Sequence, residues 1–375
     1  MNAQRASLNP VLRGAVLALA AAGLPALASA QGTMGVRLQS GLEVRGVSFK
    51  AGLGIKDVSE FAVPFGAIWN ASPRLGIDIG VRYASVSRTP EAGGSKETIA
   101  GPTDTQLRLA YQVIPDVMVL TVAANLPTGK TKLSADELVA AGVVASELIP
   151  FPVQSFGSGT NVTTGLAVAV PFAGWAFGVG GSIRVSTAYT PLATVDSTYK
   201  PGSELRFRVG ADRVVGQGRV SLGFTYSSFA DDEFGGARIF QPGRRYITQG
   251  TWSFPVGNLG LALYAWDLYR QPGTVVVGGS STEKQNVLTV GAAASVQVGR
   301  NVLRPQLEYR VHSAGVSKLE AAGHLLSLSA RYQLSLSERL ALLPAVRFDT
   351  GNIVSSAATV GFTGWGLSVG LRAAM

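Results

Sequence analysis

The chain has 375 residues, 46 Gly, 18 Pro, no Cys and a formal net charge of +9, with a positive mean hydropathy of +0.25. Without Cys it cannot be a disulfide-stapled exported domain, and with two His a protein-built zinc or iron centre is not expected; no cofactor is implied. The basic residues are spread rather than clustered, so nothing points to nucleic acid.

In chain order, Arg5 and Arg13 precede an apolar run from Ala15 to Leu27 that closes on Ala28-Ser29-Ala30. This is the pattern of a secretory signal peptide over residues 1–30, cleaved before Gln31. Loss of its two arginines leaves about +7 on the mature part. No later apolar run approaches the ~18 residues that a spanning helix needs, so residues 31–375 are either an exported soluble fold or a barrel.

From Val36 onward the apolar residues recur with period two, which places alternate side chains on opposite faces of a strand. Leu107, Leu109, Tyr111 and Val113 share one face and Gln106, Arg108, Ala110 and Gln112 the other. Leu205, Phe207, Val209 and Ala211 likewise oppose Glu204, Arg206, Arg208, Gly210 and Asp212, and the segments around Tyr309 and Leu328 repeat the pattern.

The connections alternate in length. Tight turns are expected at Ala71–Arg74, Ile114–Asp116, Phe172–Gly174, Gly216–Gly218, Val256–Asn258, Val298–Asn301 and Leu334–Glu338. Between them fall longer polar or Gly-rich links at Ala51–Glu60, Thr89–Asp104, Pro127–Gly159, Thr190–Ser203, Ala230–Gly243, Gln271–Gln285, Ser313–Gly323 and Thr350–Ala357. Seven turns and eight links predict an all-β fold: a transmembrane antiparallel β-barrel of about sixteen strands, fourteen also being compatible, in the bacterial outer membrane with its short turns on the periplasmic side. Aromatic residues gather towards strand ends, Tyr83, Phe229, Tyr246, Tyr309 and Phe348 near the long links and Trp69, Phe172, Trp175, Phe254 and Tyr332 near the turns, as interfacial girdles do.

One long link carries a helix, predicted over Ser134 to Ile149. Ser134 can cap it and Glu137 completes a capping box. Its apolar residues, Leu138, Val139, Val143, Val144, Leu148 and Ile149, require cover from the barrel wall, the loop or a ligand. Leu138, Val143, Val144 and Leu148 are the expected gate or substrate-capture residues.

Three further patterns concern chemistry. Ala124-Asn-Leu-Pro-Thr-Gly-Lys-Thr131 satisfies a loose phosphate-loop pattern, but it follows a strand of the barrel and lacks the first glycine, so a loop-entry turn is the better reading. His312 and Ser313 are neighbours in a strand and point to opposite faces, so no nucleophile–base pair is expected; His312 and His324 read as solvated rim residues, and no enzyme is implied. With the apolar face outward, the lumen receives Arg82, Arg108, Arg206, Arg208, Arg304, Arg310, Arg331 and Arg347 as pore-lining candidates, with Arg37, Arg45, Arg184 and Arg372. The inward acids are fewer: Glu43, Asp78, Glu204, Asp212, Glu308 and Asp349. Such arginines either favour anions or are spent on those acids.

Asn125-Leu-Pro-Thr-Gly-Lys130, Phe156-Gly-Ser-Gly-Thr-Asn161 and the segment Val162–Phe172 together resemble the outer-membrane barrels of phenol meta-pathway degradation, distant relatives of the long-chain fatty acid and aromatic hydrocarbon transporters. The resemblance covers mainly residues 118–190. It implies passive uptake of small hydrophobic or aromatic compounds. An anion-preferring diffusion porin is the alternative, and a structural or adhesion barrel without an open pore the lesser one. Expected partners are membrane lipid, lipopolysaccharide, the outer-membrane assembly machinery and a small-molecule substrate.

Overall fold

The computed structural model describes residues 35–354 and 358–375; the expected leader at 1–30 lies outside them. The chain opens with β1 (Gly35–Phe49), β2 (Ile55–Ser72), β3 (Leu75–Pro90), β4 (Glu97–Pro102), β5 (Thr105–Ile114) and β6 (Met118–Leu126). A long link holding the helix α1 (Ala135–Val144) leads to β7 (Asn161–Phe172), β8 (Trp175–Ser186), β9 (Tyr199–Lys200), β10 (Glu204–Val215) and β11 (Gly218–Phe229). Next come β12 (Asp232–Phe234), β13 (Ala237–Gln241), β14 (Arg245–Val256), β15 (Leu259–Arg270), β16 (Thr274–Val275) and β17 (Lys284–Val298). The chain ends in β18 (Asn301–Gly315), β19 (Glu320–Ser335), β20 (Leu340–Val354) and β21 (Thr359–Ala374).

These strands form a closed sixteen-strand antiparallel barrel, β4 and β5 being two halves of one stave that pairs with β3 along its length. The seam joins β1 to β21, from Arg37 opposite Ala374 to Phe49 opposite Phe362. Met375 finishes it, donating its N–H to the Val36 carbonyl at 2.8 Å and accepting the Val36 N–H at 3.1 Å. Closure leaves no unpaired edge, which lipid demands of a spanning sheet.

The alternation read from the sequence is the alternation of the wall. Leu42, Phe65, Trp69, Leu205, Leu328 and Phe348 stand exposed on the outside, and no helix among the described residues is long and apolar enough to cross a membrane. A closed barrel with such an apolar belt is a transmembrane barrel of the outer-membrane kind. All seven expected turns are where the sequence places them. Gly174, Gly216, Gly257 and Gly299 hold four of them with φ between 58° and 78°, a region that side chains resist.

The expected links at Ala51–Glu60, Thr89–Asp104, Ser313–Gly323 and Thr350–Ala357 are shorter in the structure. β2 starts at Ile55, β4 inserts Glu97–Pro102, β18 runs to Gly315, β19 starts at Glu320 and β20 ends at Val354. These ladders continue beyond the apolar belt into water, where both faces tolerate polar residues and polarity stops marking a loop. The wall is therefore uneven. β1 to β3 and β17 to β21 have 15–18 residues, whereas β6 to β8, β10, β11, β14 and β15 have 9–12. The difference of about five residues is roughly 17 Å along a strand. A small sheet in the order β16, β13, β12, β9 stands over the short side.

Candidate functional site

The 127–160 link does not project outward. It folds into the barrel and packs on the inner face of the tall wall. Its Ala140, Val144, Leu148, Ile149, Phe151, Val153 and Phe156 form one buried cluster with Val47, Val58, Ala84, Val86, Ile99, Leu325 and Phe362 of the strands. Polar anchors fix its position. The Val153 N–H donates to Glu60 Oε1 at 2.7 Å, and Arg82 donates to the Pro152 carbonyl. Asp104, at the break between β4 and β5, accepts the Gly129 N–H at 3.0 Å and the Ser158 N–H at 2.7 Å, so it ties both ends of the link together.

The phosphate-loop-like stretch is thus a loop-entry turn whose groups are already engaged. Thr128 Oγ1 accepts the Thr105 N–H at 2.8 Å and Lys130 pairs with Glu137. Burial works against the Glu137 carboxylate, but hydrogen bonds from Lys130 and Ser134 outweigh it and hold its pKa below the usual carboxylate range.

The capping box on Ser134 and Glu137 is present, but the helix stops at Val144 rather than Ile149. Ser146 Oγ accepts the amides of Leu148 and Ile149 at 3.3 and 3.2 Å, an alternative to helical bonding, and Pro150 disfavours helix in the residue before it. The four expected gate residues therefore separate. Val144 and Leu148 are buried against the wall and Val143 is partly so, whereas Leu138 is 48% exposed, with Val139 beside it, on the far face of α1. Val144 and Leu148 are docking residues, which leaves Leu138 free to meet a solute.

All eight arginines expected to line a pore lie on the inner face of the wall, but most are already engaged. Arg108 donates to Asp78 at 2.6 Å and Arg206 pairs with Glu204 at 2.7 Å. Glu204 also holds Arg184 at 3.3 Å and Arg245 at 3.5 Å. Arg347 and Arg45 share Asp349 at 2.9 and 2.6 Å, and Arg310 pairs with Glu308 at 3.2 Å. Arg310 also donates to the Glu147 carbonyl at 3.0 Å, Arg270 pairs with the Glu147 carboxylate at 2.9 Å, and Arg45 lies over the Phe151 ring at 5.4 Å. This group clamps the inserted link. Arg208 lines the opposite wall beside Asp212 and Thr225.

Arg304 and Arg331 differ. They stand directly opposite each other in the β18–β19 ladder, exposed to the lumen, and neither has an acidic partner among the described residues. Both line a cavity of about 590 Å³ that also includes Glu43, Arg45, Arg347 and Pro152 of the inserted link.

Sequence reasoning missed Glu60 and Asp104 as anchors, having placed both in links. The inward parity of Glu60 with Val58 and Ala62 was the available signal. It also missed inward Trp266, over which Arg310 lies at 5.2 Å. The two histidines do not meet, and His312 is no solvated rim residue. It lies on the inner face of the ladder with Nε2 buried, while His324 packs near Tyr309.

No family model matches the sequence and no curated protein matches it. Solved structures of similar form include an anion-selective porin from Comamonas acidovorans (16% identity, 92% of this chain and 99% of that one, TM-score 0.42). Two others are the CymD monoaromatic hydrocarbon channel (9%, 92% and 90%, TM-score 0.43) and OprB of Pseudomonas putida (10%, 91% and 94%, TM-score 0.47). Superpositions this loose carry no information about substrate.

Proposed function

We propose that the chain is exported on the leader at residues 1–30 and serves as an outer-membrane channel for passive uptake of small hydrophobic or aromatic molecules, not as an enzyme. One observation carries this reading: the 127–160 link is docked inside the lumen by a buried apolar cluster and leaves a cavity of about 590 Å³ beside it. A loop held there narrows the passage and sets what can enter it. The likeness of Asn125–Lys130 and Phe156–Asn161 to the phenol meta-pathway barrels points the same way. Lipid and lipopolysaccharide would surround the wall, and the assembly machinery would insert it.

The second reading, an anion-preferring porin, is favoured by the unpaired Arg304 and Arg331 in the same lumen. Refolded protein in planar bilayers tests the channel. Stepwise conductance is expected, with faster uptake of a neutral aromatic probe than of a sugar of similar size into vesicles that carry the barrel. Silent bilayers from correctly folded protein would leave a structural barrel.

A further inference from the structure

Across the β18–β19 ladder, directly opposed residues have Cβ atoms about 5 Å apart, and like charges at that spacing destabilise the sheet. Arg304 and Arg331 occupy such a pair, with Arg372 of β21 and Arg37 of β1 further along the same inner wall near its periplasmic end. None of the four has an ion-pair partner among the described residues. Among the described residues the one carboxylate lining the cavity is Glu43, which is level with Arg331 through Ser368 and Ala345 but three strands away, roughly 14 Å along the wall. Arg45 and Arg347, higher on the wall, already share Asp349.

The rest of the lining is small, the inward hydroxyls of Ser253, Ser295, Ser329 and Ser368 and the Gln306 amide standing among short apolar groups. Inward Gly260, Ala262, Ala293, Ala345 and Gly366 present no long side chain, and Pro152 of the inserted link closes one side. A hydrated inorganic anion would satisfy the guanidinium pair and the serine hydroxyls but gain nothing from the carbon of this surface. An anion with an apolar body would use both, its carboxylate on the planar forks and its ring on the Ala and Gly wall.

We infer that this chamber is a binding site for small monocarboxylates with a ring-sized apolar body, with Arg304 and Arg331 as the paired anion receptor. The inference rests on the proposed channel and names the class of solute it takes.

Titration of the detergent-solubilised barrel with benzoate, benzyl alcohol, acetate and phosphate tests the site without requiring conduction. Benzoate should bind at least tenfold more tightly than each of the others, and Arg304→Gln with Arg331→Gln should remove that preference at least tenfold. Benzoate should also interrupt the single-channel current of the parent, and the double variant should conduct without interruption. Arg219→Gln, at an arginine held by Asp212 at 2.7 Å on the far wall, should leave benzoate binding unchanged. Equal binding of acetate, phosphate and benzoate would overturn the apolar-body requirement, and unchanged benzoate binding by the double variant would overturn the receptor. Normal conductance with no benzoate effect defeats this inference and spares the channel. A silent bilayer with benzoate bound defeats the channel and spares the site.

Discussion

The inner wall uses arginine in two ways. Where the inserted link docks, Arg45, Arg310 and Arg347 are paired with Asp349 and Glu308, and Arg310 and Arg45 hold the carbonyl or ring of a loop residue. Lower on the wall, Arg304 and Arg331 face each other with no acidic partner among the described residues. The first group is structural, since a guanidinium already committed to a carboxylate in a confined site has little charge left to offer a solute. The second keeps its field for whatever passes. Inward orientation, which alternation reveals, does not decide between these uses; an inward carboxylate within reach, on the same strand or a nearby one, does.

The largest effect should come from releasing the link. Leu148 is buried, and a Cβ on Gly323 would come within 2.8 Å of its Cδ2, so the fit there leaves no slack. Leu148→Ser should cost about 2–5 kcal/mol of docking free energy, as for other large-to-small core changes. Single-channel conductance should rise severalfold while the barrel retains its heat-modifiable mobility on gels. Unchanged conductance would mean that the link does not narrow the passage.

A smaller effect on conductance, expressed in selectivity, follows from making the upper group resemble the lower. Asp349→Asn removes the acid shared by Arg45 and Arg347, breaking an ion pair whose loss typically costs about 3–5 kcal/mol when buried. The charge of the upper group then rises by one, Arg45 losing its carboxylate while Arg347 keeps Glu308 at 3.9 Å, and the reversal potential in a KCl gradient should move towards that of chloride. The opposite change is Arg331→Glu, which sets an acid across from Arg304. It should abolish anion preference and alter stability by only about 0.2–1 kcal/mol, in the favourable direction. A variant still as anion-preferring as the parent would place selectivity elsewhere on the wall.

The sequence discloses the barrel in considerable detail because lipid enforces alternation and tight turns demand particular residues. Gly174, Gly216 and Gly257 mark their turns without tertiary information, as Ser134 and Glu137 mark the start of α1. What escapes is whatever depends on partners far apart in the chain. Arg45 and Asp349 are 304 residues apart and meet only because the barrel closes between β21 and β1. Glu60 reads as a loop residue because β2 continues above the belt, where outward positions need not be apolar and alternation fades, and its partner Val153 lies 93 residues away. The end of α1 escapes for a local reason: Ser146 takes amides that helix propensity would assign to the backbone.

The smallest effect concerns Leu138, where the same helix offers the barrel one face and water the other. Ala140 and Val144 are buried on the wall, and Leu138 and Val139 are exposed opposite them. Leu138 is 48% exposed, so Leu138→Ser should shift stability by no more than about 0.5 kcal/mol, the usual range for surface positions. Conductance in KCl should likewise stay at the parental value, which separates this variant from Leu148→Ser. If the exposed face captures apolar solutes on their way in, loss of roughly half of a leucine's burial energy, about 1 kcal/mol, should weaken retention about fivefold. Uptake of a neutral aromatic probe should therefore fall by up to that factor, and uptake of acetate should not change. Parental uptake of both probes would reduce α1 to a clamp, with selection left wholly to the chamber below it.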